Sequence, residues 1–178
     1  MSQPKFFPGS KARIAVGAAL LALLPFSTQA QQPAASAFER LKGLAGEWID
    51  SDGAFGMKDQ VAVTYRVTGA GSAVVETLFA GTPHEMVTVY HRDGSDLVLT
   101  HYCAAGNQPR MRARAIEGNR VTFRFDGGSN LDAAKDGHMH DGWIEFISDS
   151  ELRAQWNGWS KGKPSEHSPR FQLTRKRS

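Results

Sequence analysis

One cysteine, Cys103, occurs in 178 residues, so no intramolecular disulfide can brace the chain and the fold must rest on its core. Acidic residues are absent before Glu39, while Lys5, Lys11 and Arg13 make the first segment positive. No apolar run reaches the roughly 20 residues that a membrane-spanning helix requires. The stretch from Ile14 to Phe26 is about 13 residues long and contains Gly17 and Pro25. A charged start, a short apolar run and the small-residue exit Ser27-Thr28-Gln29-Ala30 read as a secretory signal over residues 1–30. A retained membrane anchor is the weaker reading. Lipid attachment is excluded there, because no cysteine follows the run. The expected destination is the periplasm or the exterior of a bacterial cell.

A net charge of one sign is also missing once the signal is set aside. Three of the 21 basic residues lie within it, which leaves 18 to balance 18 acidic ones. Nothing global then argues for nucleic acid or an anionic membrane as partner. Long amphipathic helices, internal repeats and dividing linkers are absent as well. Residues 31–37 read as a flexible leader, and 38–178 as one domain of ordinary size.

What is present is alternation. Phe38, Leu41 and Leu44 have helical spacing and predict one or two turns. After Gly46 the period becomes two, with strands expected at 47–50, 60–68, 72–80, 85–92, 96–104, 110–117, 120–126, 138–148, 151–160 and 169–175. Gly-rich or polar turns separate them, including Asp93-Gly94-Ser95, Gly118-Asn119 and Gly162-Lys163-Pro164. The predicted fold is all-β: a single antiparallel up-and-down barrel of 8–10 strands with a short N-terminal helix. Faces follow from the alternation. Val61, Val63, Tyr65 and Val67 point inward, as do Met111, Ala113 and Ala115, and Val121, Phe123 and Phe125. Arg110, Arg112, Arg114, Arg120 and Arg124 point outward, since a one-residue slip would bury a row of guanidinium groups.

The segment Leu44-Ala45-Gly46-Glu47-Trp48, a short helix running into Gly-x-Trp at the first strand, resembles the opening of lipocalin-like (calycin) barrels. The resemblance implies that Trp48 plugs the closed end and that a basic residue of the last strand lies over its ring. Arg175, in parity with Phe171 and Leu173, is the candidate for that cation–π contact. A longer stretch, Val89-Tyr90-His91, then Leu99 to Met111 (LTHYCAAGNQPRM), with His138-Met139-His140, resembles a group of uncharacterised exported bacterial proteins sharing that barrel. That resemblance implies a fold and leaves the activity open. Haem-binding nitrobindin-type barrels are more distant, and no matching C-terminal haem-ligand motif occurs, so no cofactor is carried over.

Parity places several polar groups inside: Tyr65 among valines, Glu76 with Val74 and Leu78, His101 with Leu99 and Cys103, and His138 and His140 with Ile144 and Phe146. Such groups need partners when buried. They would either anchor a ligand in an apolar pocket or satisfy one another in an internal network. The pocket is the favoured reading, because barrels of this size have room for one ligand. Its expected ligand-binding residues are Tyr65, Glu76, His101 and His140 as polar anchors, with Phe123, Phe125 and Trp156 as wall. His101, His138 and His140 could instead hold a catalytic metal, but ordinary polar histidines are the more common case, and no metal is assigned. Cys103 beside His101 lacks a third orienting residue, so no catalytic residue is assigned. The loop 105–109 and the segment 127–137 are candidates for a rim and a lid. The expectation is an exported protein that binds a small apolar or amphipathic molecule. The alternative is a metal- or His-dependent enzyme for hydrolysis or proton transfer, and the oligomeric state is left open.

Overall fold

A computed structural model of the chain describes residues 33–166 and 168–177. The targeting segment expected at 1–30 and the first two residues of the expected leader lie outside the described residues. The elements run α1 (Pro33–Gly43), β1 (Gly46–Asp50), β2 (Val61–Thr68), β3 (Ala73–Leu78), β4 (Met86–Asp93), β5 (Asp96–Tyr102), β6 (Gln108–Glu117), β7 (Arg120–Ser129), β8 (His138–Ser148), β9 (Glu151–Ser160), β10 (Lys163–Pro164) and β11 (Arg170–Arg175). Strands β1 to β9 each pair antiparallel with the next in sequence. The circle closes where β11 lies between β9 and β1. The result is the closed ten-strand barrel that the alternation predicts. Its one addition is β10, a two-residue pairing on the end of β9 within the turn expected there. Closure leaves no unpaired sheet edge among the ten strands. Among the described residues, no helix is long and apolar enough to cross a membrane.

Helix α1 begins at Pro33, five residues before the expected start at Phe38, and so takes up the part of the leader that is described. Proline is compatible with a first helical turn because its missing N–H would have no intrahelical partner there. Ala34, Ala37, Phe38 and Leu41 are buried, which is one stripe at helical spacing. The two alanines give too weak an apolar signal to extend that stripe by eye. The helix covers one end of the barrel. There Arg40 donates to the Gly118 carbonyl and the Asn119 side chain, both at 3.1 Å, and lies 4.3 Å above the Phe146 ring.

The same end contains Trp48, fully buried, whose indole N–H donates to the Leu44 carbonyl at 2.8 Å. Arg175 sits 4.5 Å above its ring, as the resemblance implied. The guanidinium also donates to the carbonyls of Gly43, Ala45 and Asp149 at 2.7, 2.8 and 2.8 Å. Gly46 has φ +131°, and a Cβ there would approach Arg175 Nη1 to 3.1 Å. The glycine of Gly-x-Trp is thus needed twice, for its backbone angle and for the close approach of the arginine. Arg175→Ala removes the cation–π contact and three acceptor-satisfying bonds. It is expected to lower stability by about 2 kcal/mol, with Arg175→Lys recovering little of the loss, as measured by urea unfolding.

Two bulges correct the face assignments. In β6 the register shifts between Ala113 and Ala115, so Ala113 opposes Phe123 while Ile116 opposes Val121. Ile116, rather than Ala115, therefore packs on the core. In β8 the register shifts between Met139 and Asp141, leaving His140 as the extra residue. Simple parity across 138–146 fails at that point, because a bulge changes which side chains face in.

Candidate functional site

Opposite the α1 end, the loops 51–60, 79–85, 103–107 and 130–137 and the described residues 161–166 and 168–169 surround the mouth of the barrel. Between them is a cavity of about 360 Å³. Phe55 from the β1–β2 loop, Phe79 after β3 and Phe171 in β11 form one aromatic wall. Phe55 and Phe171 stack at 4.0 Å, and Phe55 and Phe79 meet at 5.3 Å. Phe79 has φ +55°, a strained angle for a bulky residue. It is held there by its N–H on the Ala62 carbonyl at 2.8 Å and by its own carbonyl accepting from Thr82 N–H at 3.1 Å. Met86, Met139 and Trp156 complete much of the rest. No Lys, Arg, Asp or Glu is among the described residues that line the cavity.

Trp156 owes its position to Gly142. The two residues pair across β8 and β9, and a Cβ on Gly142 would come within 3 Å of the Trp156 ring and of the Gln155 carbonyl. Gly142→Ala must therefore displace the indole or the strand. It is expected to destabilise by about 3 kcal/mol and to shift the Trp156 contribution to the fluorescence spectrum, whereas an overpacked methyl elsewhere on an exposed strand face would do neither.

A row of buried polar side chains reaches the cavity wall at Thr88 and His101. Cross-strand register places Tyr65 of β2 opposite Glu76 of β3, Glu76 opposite Thr88 of β4, and Thr88 opposite His101 of β5. All four are buried. Tyr65 donates to one Glu76 oxygen at 2.7 Å, and Tyr90, one inward position along β4, donates to the other at 2.9 Å. At the end of the row, Thr88 Oγ1 and His101 Nδ1 are 3.0 Å apart. Burial pushes the Glu76 carboxyl up, against the opposing pull of the Tyr65, Tyr90 and Thr88 hydroxyls. Burial, then the Glu76 charge, pushes Tyr65 and Tyr90 well above the usual phenol range. His101 is held down to about 4 by burial, and is neutral at ordinary pH.

Of the seven residues expected to bind a ligand, the structure brings His101 and Trp156 to the cavity. Tyr65 and Glu76 lie behind His101 in the row and do not line it. Phe123 is fully buried between Tyr90 and Trp156, with 6.1 Å between centroids on either side, and so backs the wall. Phe125 and His140 form a separate stack: Phe125 to His140 at 4.7 Å and His140 to Trp159 at 4.1 Å. The bulge at His140 is the physical reason this pair stands beside the cavity. Two wall residues were missed: Phe55 sits in a loop where no period exists, and Phe79, inside the expected strand 72–80, falls just past the end of β3 at Leu78 with φ +55°. Ala105 of the expected rim does line the cavity, as do Gly137 at the end of the expected lid and Cys103, which was expected in the strand 96–104.

His138 lines the mouth as well. Its Nδ1 meets the Asp136 carbonyl at 2.9 Å and its Nε2 meets His140 Nδ1 at 3.0 Å. Burial, and then His138, lower the His140 pKa. His101 does not join this pair, and no three His, Cys, Asp or Glu side chains are grouped as metal ligands among the described residues. His101 Nδ1 is engaged by Thr88, while Cys103 Sγ accepts from Ala105 N–H at 3.5 Å. Outside, the arginines are matched by acids: Arg110 and Arg112 on Asp126, Arg120 on Glu145 and Arg124 on Asp141. Such exposed pairs stabilise little and leave no unbalanced patch. Neither a scan of protein-family models nor a search of curated proteins gave a match for this chain.

Proposed function

We propose that this chain is an exported lipocalin-like barrel of the calycin type whose mouth cavity binds a small, largely apolar molecule. The observation that carries this reading is the cavity of about 360 Å³, walled by aromatic and methionine side chains and free of charged groups among its described lining. Apolar burial there supplies affinity, and the few polar groups orient the occupant. The Gly46–Trp48–Arg175 closure of the opposite end supports the family resemblance. The signal at 1–30 directs the protein to the periplasm or the exterior. Native mass spectrometry of protein recovered from that compartment tests the reading. A chain starting at Gln31 and carrying a non-covalent organic adduct is expected. A chain that retains residues 1–30 and carries no adduct, even after incubation with apolar compounds, would count against it.

A second reading draws on the His138–His140 contact at the mouth. In it the pair serves hydrolysis or proton transfer, with or without a divalent metal. Elemental analysis separates the two, since a stoichiometric transition metal in the purified protein would favour the enzyme.

A further inference from the structure

We infer that the molecule taken by this cavity is uncharged and carries a hydroxyl or N–H group on an apolar ring system, and that this group donates a hydrogen bond to Nε2 of His101. The inference rests on the binding reading above and specifies its ligand. Three observations lead to it.

The first is the absence of charged groups from the described lining. An ionic ligand would leave water for a wall that offers no opposite charge, which is costly. The second is the state of His101. The side chain belongs to a residue only 3% exposed, one ring nitrogen is paired with Thr88, and the ring lines the cavity. Its Nε2 has no hydrogen-bond partner among the described residues. A ring nitrogen without a protein partner, on a residue that lines an apolar cavity, can take its partner from the occupant.

The third observation fixes which partner. The hydroxyls of Tyr65 and Tyr90 both point their protons at Glu76, as they would toward a carboxylate. Thr88 faces the same carboxylate across the β3–β4 pairing. A charged acceptor draws a donor more strongly than a neutral ring nitrogen does. A Thr88 hydrogen bond is among the interactions that pull the Glu76 carboxyl down, and a Thr88 proton given to Glu76 leaves the hydroxyl oxygen to accept from β5. His101 must then donate from Nδ1–H to Thr88. Being neutral, as burial requires, it keeps no proton on Nε2. The cavity face of His101 is an acceptor. The buried Tyr65–Glu76–Tyr90 cluster, which does not line the cavity, sets through Thr88 the hydrogen-bonding sense of the His101 imidazole, which does.

The test uses one ring system with three substituents. Calorimetric titration of the purified protein with naphthol, methoxynaphthalene and naphthoate compares a donor, an acceptor-only ether and an anion. Naphthol is expected to bind about tenfold more tightly than the ether, the equivalent of one neutral hydrogen bond, and naphthoate more weakly than either. In His101→Phe the ratio of naphthol to ether affinity should fall to about one. Should that variant fail to fold, a ring proton–nitrogen correlation spectrum of the unaltered protein reads the tautomer directly. Protonated Nδ1 and bare Nε2 are expected, and a protonated Nε2 overturns the inference. Equal binding of naphthol and ether also overturns it, while leaving the binding reading intact. Absence of binding by all three compounds counts against the binding reading itself.

Discussion

Glu76→Leu is expected to lower the stability of the protein by roughly 3–5 kcal/mol, enough to consume much of the margin of a domain this size. The Glu76 carboxyl accepts from both buried phenols, Tyr65 at 2.7 Å and Tyr90 at 2.9 Å. Truncating it strands two O–H donors in the interior at about 1–3 kcal/mol each. Glu76→Gln retains one acceptor oxygen and should lose less. The informative comparison is Glu76→Leu combined with Tyr65→Phe and Tyr90→Phe. Removing donors together with their acceptor is expected to restore most of the lost stability, because apolar replacement of a whole network can be nearly neutral. If the triple variant were less stable than Glu76→Leu alone, the cluster would owe its role to shape rather than to hydrogen bonding. Urea unfolding, with midpoint and slope compared across the set, measures each step.

Acidification is the second large effect. His101 has its pKa lowered from 6.5 to about 4 by burial, so the unfolded chain binds a proton that the folded one refuses. The stability contributed by keeping this ring neutral is full above the unfolded value and is lost as pH falls toward the folded one. The loss totals about 3 kcal/mol over that window. Glu76 acts in the opposite sense. Its pKa is raised by burial, so its contribution is full below the ordinary glutamic acid value and declines as pH rises through the raised one. The two slopes oppose where their windows overlap, and the His101 share must be isolated by difference. The stability of the unaltered protein relative to His101→Phe should fall as pH drops from about 7 toward 4. A difference that stays flat over that range would mean that the imidazole is solvated in the folded state.

Much of the barrel could be read from the chain because strand alternation is a local property. The turns Asp93-Gly94-Ser95 and Gly118-Asn119 mark their hairpins with residues that tolerate the required backbone, and Gly94 and Gly118 do have positive φ. The cation–π closure was legible because the resemblance implied a basic residue over Trp48 and Arg175 shares parity with Leu173. The site was legible only in part. Parity finds inward residues, but it does not say at what height along the barrel axis they stand. Tyr65, Glu76 and His101 are all inward, as expected, yet only His101 reaches the cavity, since height depends on cross-strand register. His140, an expected anchor, and Phe125, expected in the wall, stack beside the cavity at a bulge, which one extra residue creates without altering composition. Phe55 lies outside any period, Phe79 leaves the expected strand 72–80 where β3 ends at Leu78, and their convergence with Phe171 is a tertiary event.

The reaction of Cys103 with a small maleimide reports whether an apolar molecule occupies the mouth cavity. This thiol is the only one in the chain and lines the cavity near His101, so its modification rate reports whether that space is filled. With naphthol at saturating concentration, the rate is expected to fall severalfold and to recover when the compound is removed. An unchanged rate with the compound demonstrably bound would mean that binding occurs elsewhere, and the cavity would lose its assigned role.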